Sequence, residues 1–174
     1  ADAETAFPLW WFSYHRGMTQ EIWDAEASSF VDEPDHGLAD EGIRDAWRDL
    51  LLGVLPAAPA RVADIGCGTG TLARLLVDNG YMVDGLDFSP AMIQRAIDKV
   101  PEARFVIGDA SDPSLKPGDY DAVLSRHVLW ALPDPVAAIA RWVRLLKTDG
   151  VAVLVEGRWH TGGGLTSEET ERIV

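Results

Sequence analysis

The chain has 174 residues, enough for one domain with a sizeable core, and 47% of them are hydrophobic. Its formal net charge is −13 and no basic stripe is visible, which disfavours nucleic acid and anionic membrane surfaces as partners. No run approaches the roughly 18 apolar residues of a membrane span, no basic leader precedes an apolar stretch, and the lone Cys67 excludes an intrachain disulfide, so the sequence reads as cytoplasmic.

The chain begins at Ala1 rather than Met, as a trimmed N-terminus would. Residues 1–56 read as a helical cap, dense in aromatics: Trp10, Trp11, Phe12, Tyr14, Trp23 and Phe30. Within it, Ile43, Trp47, Leu50, Leu51 and Val54 share one helix face, and Pro56 follows. The aromatics suit a cap glued to the rest of the chain, a lid over a ligand, or both.

From Arg61 onward, strand and helix patterns alternate. Arg61–Ile65 is a short apolar run ending at a glycine cluster. Leu72, Leu75 and Leu76 follow at helical spacing, and Asn79-Gly80 ends that helix. Tyr81–Leu86 is the second strand. Ser89-Pro90 starts a helix as cap and first residue, with Ile93, Ala96, Ile97 and Val100 as its buried face and Pro101 as its stop. Arg104–Ile107 and Tyr120–Ser125 are the third and fourth strands. Asp134-Pro135 repeats the cap, and Val136, Ile139, Val143 and Leu146 line one face. Asp149-Gly150 then turns into a Val-rich fifth strand, Val151–Glu156. Thr166-Ser167-Glu168-Glu169 looks like one more helix start. This order predicts an α/β fold: a doubly wound, mostly parallel sheet with right-handed crossovers, behind an N-terminal helical cap.

The glycine cluster carries the chemistry. In Asp64-Ile65-Gly66-Cys67-Gly68-Thr69-Gly70 a strand enters, three glycines alternate and a helix leaves. Glycines serve where backbone turns tightly and a ligand approaches closely, and this corner of an open α/β sheet is where ligands bind. A dinucleotide loop reads Gly-x-Gly-x-x-Gly. Here the third glycine comes one residue early, and Asp64 suits a cationic ligand better than a pyrophosphate. A nicotinamide oxidoreductase is therefore the weaker alternative.

Asp64-x-Gly66-x-Gly68-x-Gly70 resembles the first motif of the class I methyltransferases, and the similarity continues over residues 61–156. The resemblance implies S-adenosyl-L-methionine as cofactor, held by an α/β core at 57–174. Asp87, followed by Phe88, falls where family members hold both ribose hydroxyls, a task suited to an acceptor-only carboxylate. Asp109-Ala110 falls at the adenine-binding turn. Cys67 sits in the glycine loop as a small residue that matters for its backbone rather than its thiol. Arg126 either shapes the cofactor site or faces solvent, and Tyr14, His15 and Trp23 are candidates to close over the cofactor.

The implied reaction is methyl transfer to a small-molecule acceptor by in-line displacement. His127, in Ser125-Arg126-His127, is the candidate base, with packing against the cofactor as its alternative role. His160 is a further candidate for the acceptor side. Metal-dependent family members carry an acid at the end of the fourth strand, and this chain does not. The cluster Asp32, Glu33, Asp35 and His36 reads as a solvated loop, so no metal is expected. A non-catalytic cofactor-binding module is the other alternative. The family's two-stranded C-terminal hairpin has no counterpart before Val174, and nothing in the sequence addresses oligomeric state.

Overall fold

The computed structural model describes residues 20–27, 38–158 and 163–174. Two helices come first, α1 (Gln20–Glu26) and α2 (Glu41–Val54). The alternating core follows as β1 (Arg61–Ile65), α3 (Thr71–Asp78), β2 (Met82–Asp87), α4 (Pro90–Lys99), β3 (Arg104–Ile107), β4 (Tyr120–Arg126), α5 (Pro135–Val143) and β5 (Leu146–Val155). A last helix, α6, spans Ser167–Ile173.

The strands form one sheet in the order β3-β2-β1-β4-β5, and every pairing is parallel. Side chains of a strand alternate between faces, and the alternation here feeds two cores. Ala63, Ile65 and Val123 point to the side of Trp142, Leu145 and Ile173. Val62, Ala122 and Leu124 point to the side of Leu51, Leu72 and Leu76. Because both faces are covered, the central strands need apolar residues at nearly every position. The chain reverses direction across the sheet between β1 and β4, which opens a crevice at their carboxyl ends. Among the described residues no helix is long and apolar enough to cross a membrane.

The helix starts follow local capping chemistry. Ser89 accepts from the Met92 amide at 3.1 Å with Pro90 behind it, and Asp134 accepts from the Ala137 amide at 2.9 Å. Thr166 and Glu169 form a reciprocal capping box on α6.

Three helical faces differ from the sequence reading. On α4, Ile97 is 43% exposed and Met92 is buried in its place. On α5, Val136 and Val143 are about half exposed, and the buried face is Pro135, Ala138 and Trp142. The reason is the Trp142 indole, which donates to the Ala110 carbonyl at 2.7 Å and rotates the helix to do so. On α2, Leu51 is buried while Ile43, Leu50 and Val54 stay exposed. Three strands also shift, the fourth only by running one residue further, to Arg126. The second starts at Met82 rather than Tyr81 and ends at Asp87. The fifth begins early, at Leu146, and absorbs Asp149-Gly150 as an irregularity in its register with β4. Left-handed backbone at Asp149, φ 66°, makes that irregularity possible.

An ionic network at the amino ends of the strands, opposite the crevice, ties the sheet together. Asp84, nearly buried, accepts from the Tyr120 hydroxyl and from Arg61, both at 2.7 Å, with Arg104 at 3.4 Å. Arg61 also pairs with Asp119 at 2.9 Å and stacks over the Tyr120 ring. Removing one partner of a buried pair strands the others. Asp84→Ala is expected to lower unfolding stability by about 2–3 kcal/mol, since both arginines keep some contact with water. Urea denaturation checks this, and an unchanged midpoint would show the network to be dispensable.

Candidate functional site

The crevice is a cavity of about 470 Å³ at the carboxyl ends of the strands, within the size range of small-molecule sites. β1 supplies Asp64 and then Gly66, Cys67 and Gly68. β2 supplies Asp87 and Phe88, the turn after β3 supplies Asp109 and Ala110, and β4 supplies Arg126 and His127. Trp23 reaches in from α1. The structure thus brings together eleven of the fifteen residues expected from sequence. Gly70 stands outside the cavity, and Tyr14 lies outside the described residues, as do His15, His160 and the cluster at 32–36.

The glycine loop is built by two neighbours. The amides of Gly66 and Cys67 both donate to the Leu86 carbonyl, at 2.7 and 3.0 Å, which folds the loop back onto β2. Gly66 has φ 71°, and a Cβ there would collide with the Val128 side chain. Gly70 caps α3 at φ 75° and lets α4 approach, since a Cβ would stand 3.1 Å from Ala96. Its missing Cβ is what this close approach requires. The Cys67 thiol is buried and its pKa is pushed well up, first by that burial, so it stays protonated.

Asp87 is 8% exposed and holds two backbones at once. One oxygen accepts from the Gly68 amide at 2.9 Å, the other from the Ser89 amide at 2.9 Å. A carboxylate has about four lone-pair sites, so acceptor capacity remains on both oxygens. Burial raises its pKa, against the pull of the amides. Asp64 is 2% exposed and its Oδ2 is buried with no hydrogen-bond partner among the described residues. Burial pushes its carboxyl up to about 7, opposed by the charge of Arg126 and reinforced by that of Asp87. Arg126 stacks over the Trp47 ring, its guanidinium carbon 5.1 Å from the centroid. Asp109 Oδ1 accepts from the Ser111 amide at 2.7 Å, so part of the side chain shapes its own turn.

Two contributors escaped the sequence reading. Asp24 of α1 accepts from the Ser89 hydroxyl at 2.5 Å and from the Ala91 amide at 3.3 Å, and so fastens α1 to the start of α4. No pattern around Asp24 announces this. Glu156 accepts from the amides of Val128 and Leu129 at 3.1 and 3.0 Å. Its signal was legible: an acid at the carboxyl end of an apolar strand, as with Asp87.

Comparison with known proteins agrees with this layout. Residues 63–154 match the family described as a methyltransferase domain. The chain is 32% identical over 129 residues to a demethylmenaquinone methyltransferase of Renibacterium salmoninarum, covering 74% of this chain and 54% of that protein. It is 41% identical over 90 residues to an 18S rRNA (guanine-N(7))-methyltransferase of Bos taurus, covering 51% of this chain and 32% of that protein. The chain spans about half the length of the first relative and about a third of the second. Among solved structures, the 4+2 cyclase SpnF superposes with a TM-score of 0.73 at 21% identity, over 88% of this chain and 69% of that one, which is a likeness of fold. The family match runs from within β1 to within β5 and takes in more than half of the chain, which therefore belongs to the class I S-adenosylmethionine-dependent methyltransferases.

Proposed function

We propose that the chain binds S-adenosylmethionine in this cavity and transfers its methyl group to a small-molecule acceptor by in-line displacement, without a metal ion. The observation that carries the reading is the pair of buried acids, Asp64 and Asp87, flanking a loop whose backbone a side chain would obstruct. The residues fit the cofactor. Asp64, buried with an unpartnered oxygen, suits a cationic group such as the amino acid ammonium. Asp87 retains acceptor capacity for two ribose hydroxyls. Asp109 and the Ala110 amide suit the adenine edge, and Arg126 suits the amino acid carboxylate.

Bound there, the sulfonium supplies an already activated methyl group. The protein's remaining work is to align the acceptor and exclude water. His127 lines the same cavity and is positioned to take a proton from an acceptor that must lose one. Trp23 and the Asp24 fastening support a lid role for the N-terminal segment. A small acceptor is favoured by the enclosed volume and by the chain's net charge of −13. A metal-free route is favoured because β4 ends Ser125-Arg126-His127, with no acid there to hold a cation.

Titration calorimetry with S-adenosylhomocysteine tests the reading. Binding in the micromolar range is expected, and Asp87→Ala is expected to weaken it by about 100-fold, the loss of two hydrogen bonds to a charged group. A folded protein with no heat of binding would sink the proposal. Binding without methyl transfer to any acceptor tried would leave a cofactor-binding module.

The raised Asp64 pKa adds a pH dependence. An ammonium beside Asp64 favours its ionised form, so at pH below about 7 binding must expel a proton. Affinity for S-adenosylhomocysteine is expected to fall as pH drops through about 7 and to level off above it. Asp64→Asn should be weaker at high pH and nearly flat across the range. A wild-type profile that is level between about pH 6 and 8 would remove Asp64 from contact with the cation.

A further inference from the structure

The carboxyl end of β5 carries an acid that the proposed reaction does not use. Glu156 is half-buried, and its Oε1 takes two consecutive amides, Val128 at 3.1 Å and Leu129 at 3.0 Å. Its Oε2 is buried with no hydrogen-bond partner among the described residues. Burial pushes its carboxyl up to about 7, even though the two amides pull it down.

The backbone it grips is unusual. His127 lies at φ 59°, in the left-handed region, and Val128 returns to the right-handed region at φ −113° and ψ −39°. Such an alternation turns successive amides to one side and forms a concavity for an anion. Here the anion is the Glu156 carboxylate, delivered from the neighbouring strand. The two peptide planes on either side of His127 are both pinned. Ahead of it, the His127 amide donates to the Val155 carbonyl at 2.9 Å. Behind it, the Val128 amide goes to Glu156 while the His127 carbonyl accepts from the Trp130 indole at 2.8 Å. With both planes fixed, the direction in which the imidazole leaves the backbone is fixed too. The ring then lies against Gly157, where a Cβ would stand 3.6 Å from its Cε1.

We propose that Glu156 is a positioning residue: by holding the Val128 and Leu129 amides it keeps His127 in left-handed backbone with its imidazole on the cavity. The inference rests on the reading that His127 faces the reacting groups. Without the carboxylate, the plane between His127 and Val128 loses its anchor to β5. His127 then relaxes to negative φ, the region nearly all non-glycine residues prefer, and its side chain swings away.

The test compares Glu156→Ala, Glu156→Asp and Glu156→Gln by NMR of histidine-labelled protein and by calorimetry with S-adenosylhomocysteine. His127→Asn, whose side chain also tolerates left-handed backbone, identifies the His127 signals by their loss. Tyr120→Phe serves as a control that loosens the far end of the sheet. In Glu156→Ala the His127 backbone and ring signals are expected to move, as the residue leaves the left-handed region. Glu156→Asp, charged but one methylene short, should behave like Ala and decides the matter if the Ala variant does not fold. Glu156→Gln keeps an acceptor at the same reach and should restore the His127 signals. Tyr120→Phe should leave the His127 signals in place. The proposal is overturned if the His127 signals stay in place in the Ala or Asp variants, or if Gln fails to rescue them. A wild-type protein that does not bind S-adenosylhomocysteine would end the cofactor reading alone, because the His127 signals still report on Glu156.

Discussion

The site hangs on the carboxylate of Asp87. It takes one amide from the glycine loop and one from the start of α4, both at 2.9 Å, so two segments that leave different strands share one anchor. Ser89, whose amide it holds, caps α4 through Met92 and gives its hydroxyl to Asp24 of α1. A single chain of hydrogen bonds therefore runs from the loop after β1, through the end of β2, to the helix that brings Trp23 to the cavity. Charge-assisted bonds to backbone amides are among the stronger polar contacts available inside a protein. They also locate the backbone itself, which side-chain packing alone does not.

The other wall repeats the device on the next pair of strands. Glu156 directly follows β5 where Asp87 closes β2, and each acid reaches sideways to amides in the turn that follows an adjacent strand. Parallel strands make this possible, because all their carboxyl ends emerge on one edge and their following turns crowd together. At the opposite edge Asp84 joins Arg61, Arg104 and Tyr120, so that end of the sheet is closed by ion pairs with no cavity. The two ends of one sheet thus use the same residue type differently. At the amino end the acid meets guanidinium groups. At the carboxyl end Asp87 and Glu156 meet amides, while Asp64 Oδ2 meets nothing among the described residues.

Much of this was legible in the residues. Two strands, Arg61–Ile65 and Arg104–Ile107, fall where the apolar runs place them, because buried parallel strands must be apolar almost throughout. The helix starts at Ser89-Pro90, Asp134-Pro135 and Thr166 follow from capping chemistry that is local and so readable. The helix faces were less legible. Val136 and Val143 look like core by hydrophobicity, yet Trp142 needs the Ala110 carbonyl, thirty-two residues earlier in the chain, and turns them outward. Gly70 illustrates a different limit. Its spacing marks it as part of the loop, but only the approach of Ala96 shows that its missing Cβ serves packing. The link from Asp24 to Ser89 spans sixty-five positions and leaves no trace in local pattern.

Three acids at the carboxyl ends of the strands, in a chain already at −13, carry a cost in fold stability. Burial raises the carboxyl pKa of Asp64, Asp87 and Glu156 from its ordinary value. A carboxyl with a higher pKa when folded binds more protons in the native state than in the unfolded one. Its contribution to stability therefore declines as pH rises from the usual carboxylate range toward its folded pKa. At neutral pH these carboxylates are held at some expense of fold stability, with Arg126 opposing the rise at Asp64. Anionic ligands would add to that expense, whereas a ligand bearing positive charge relieves it. Asp87 and Glu156 are partly compensated by backbone amides, so they can stay in place whether or not a ligand is bound. Asp64 Oδ2 has no such amide among the described residues, and the charge of Arg126 is what opposes the rise of its carboxyl.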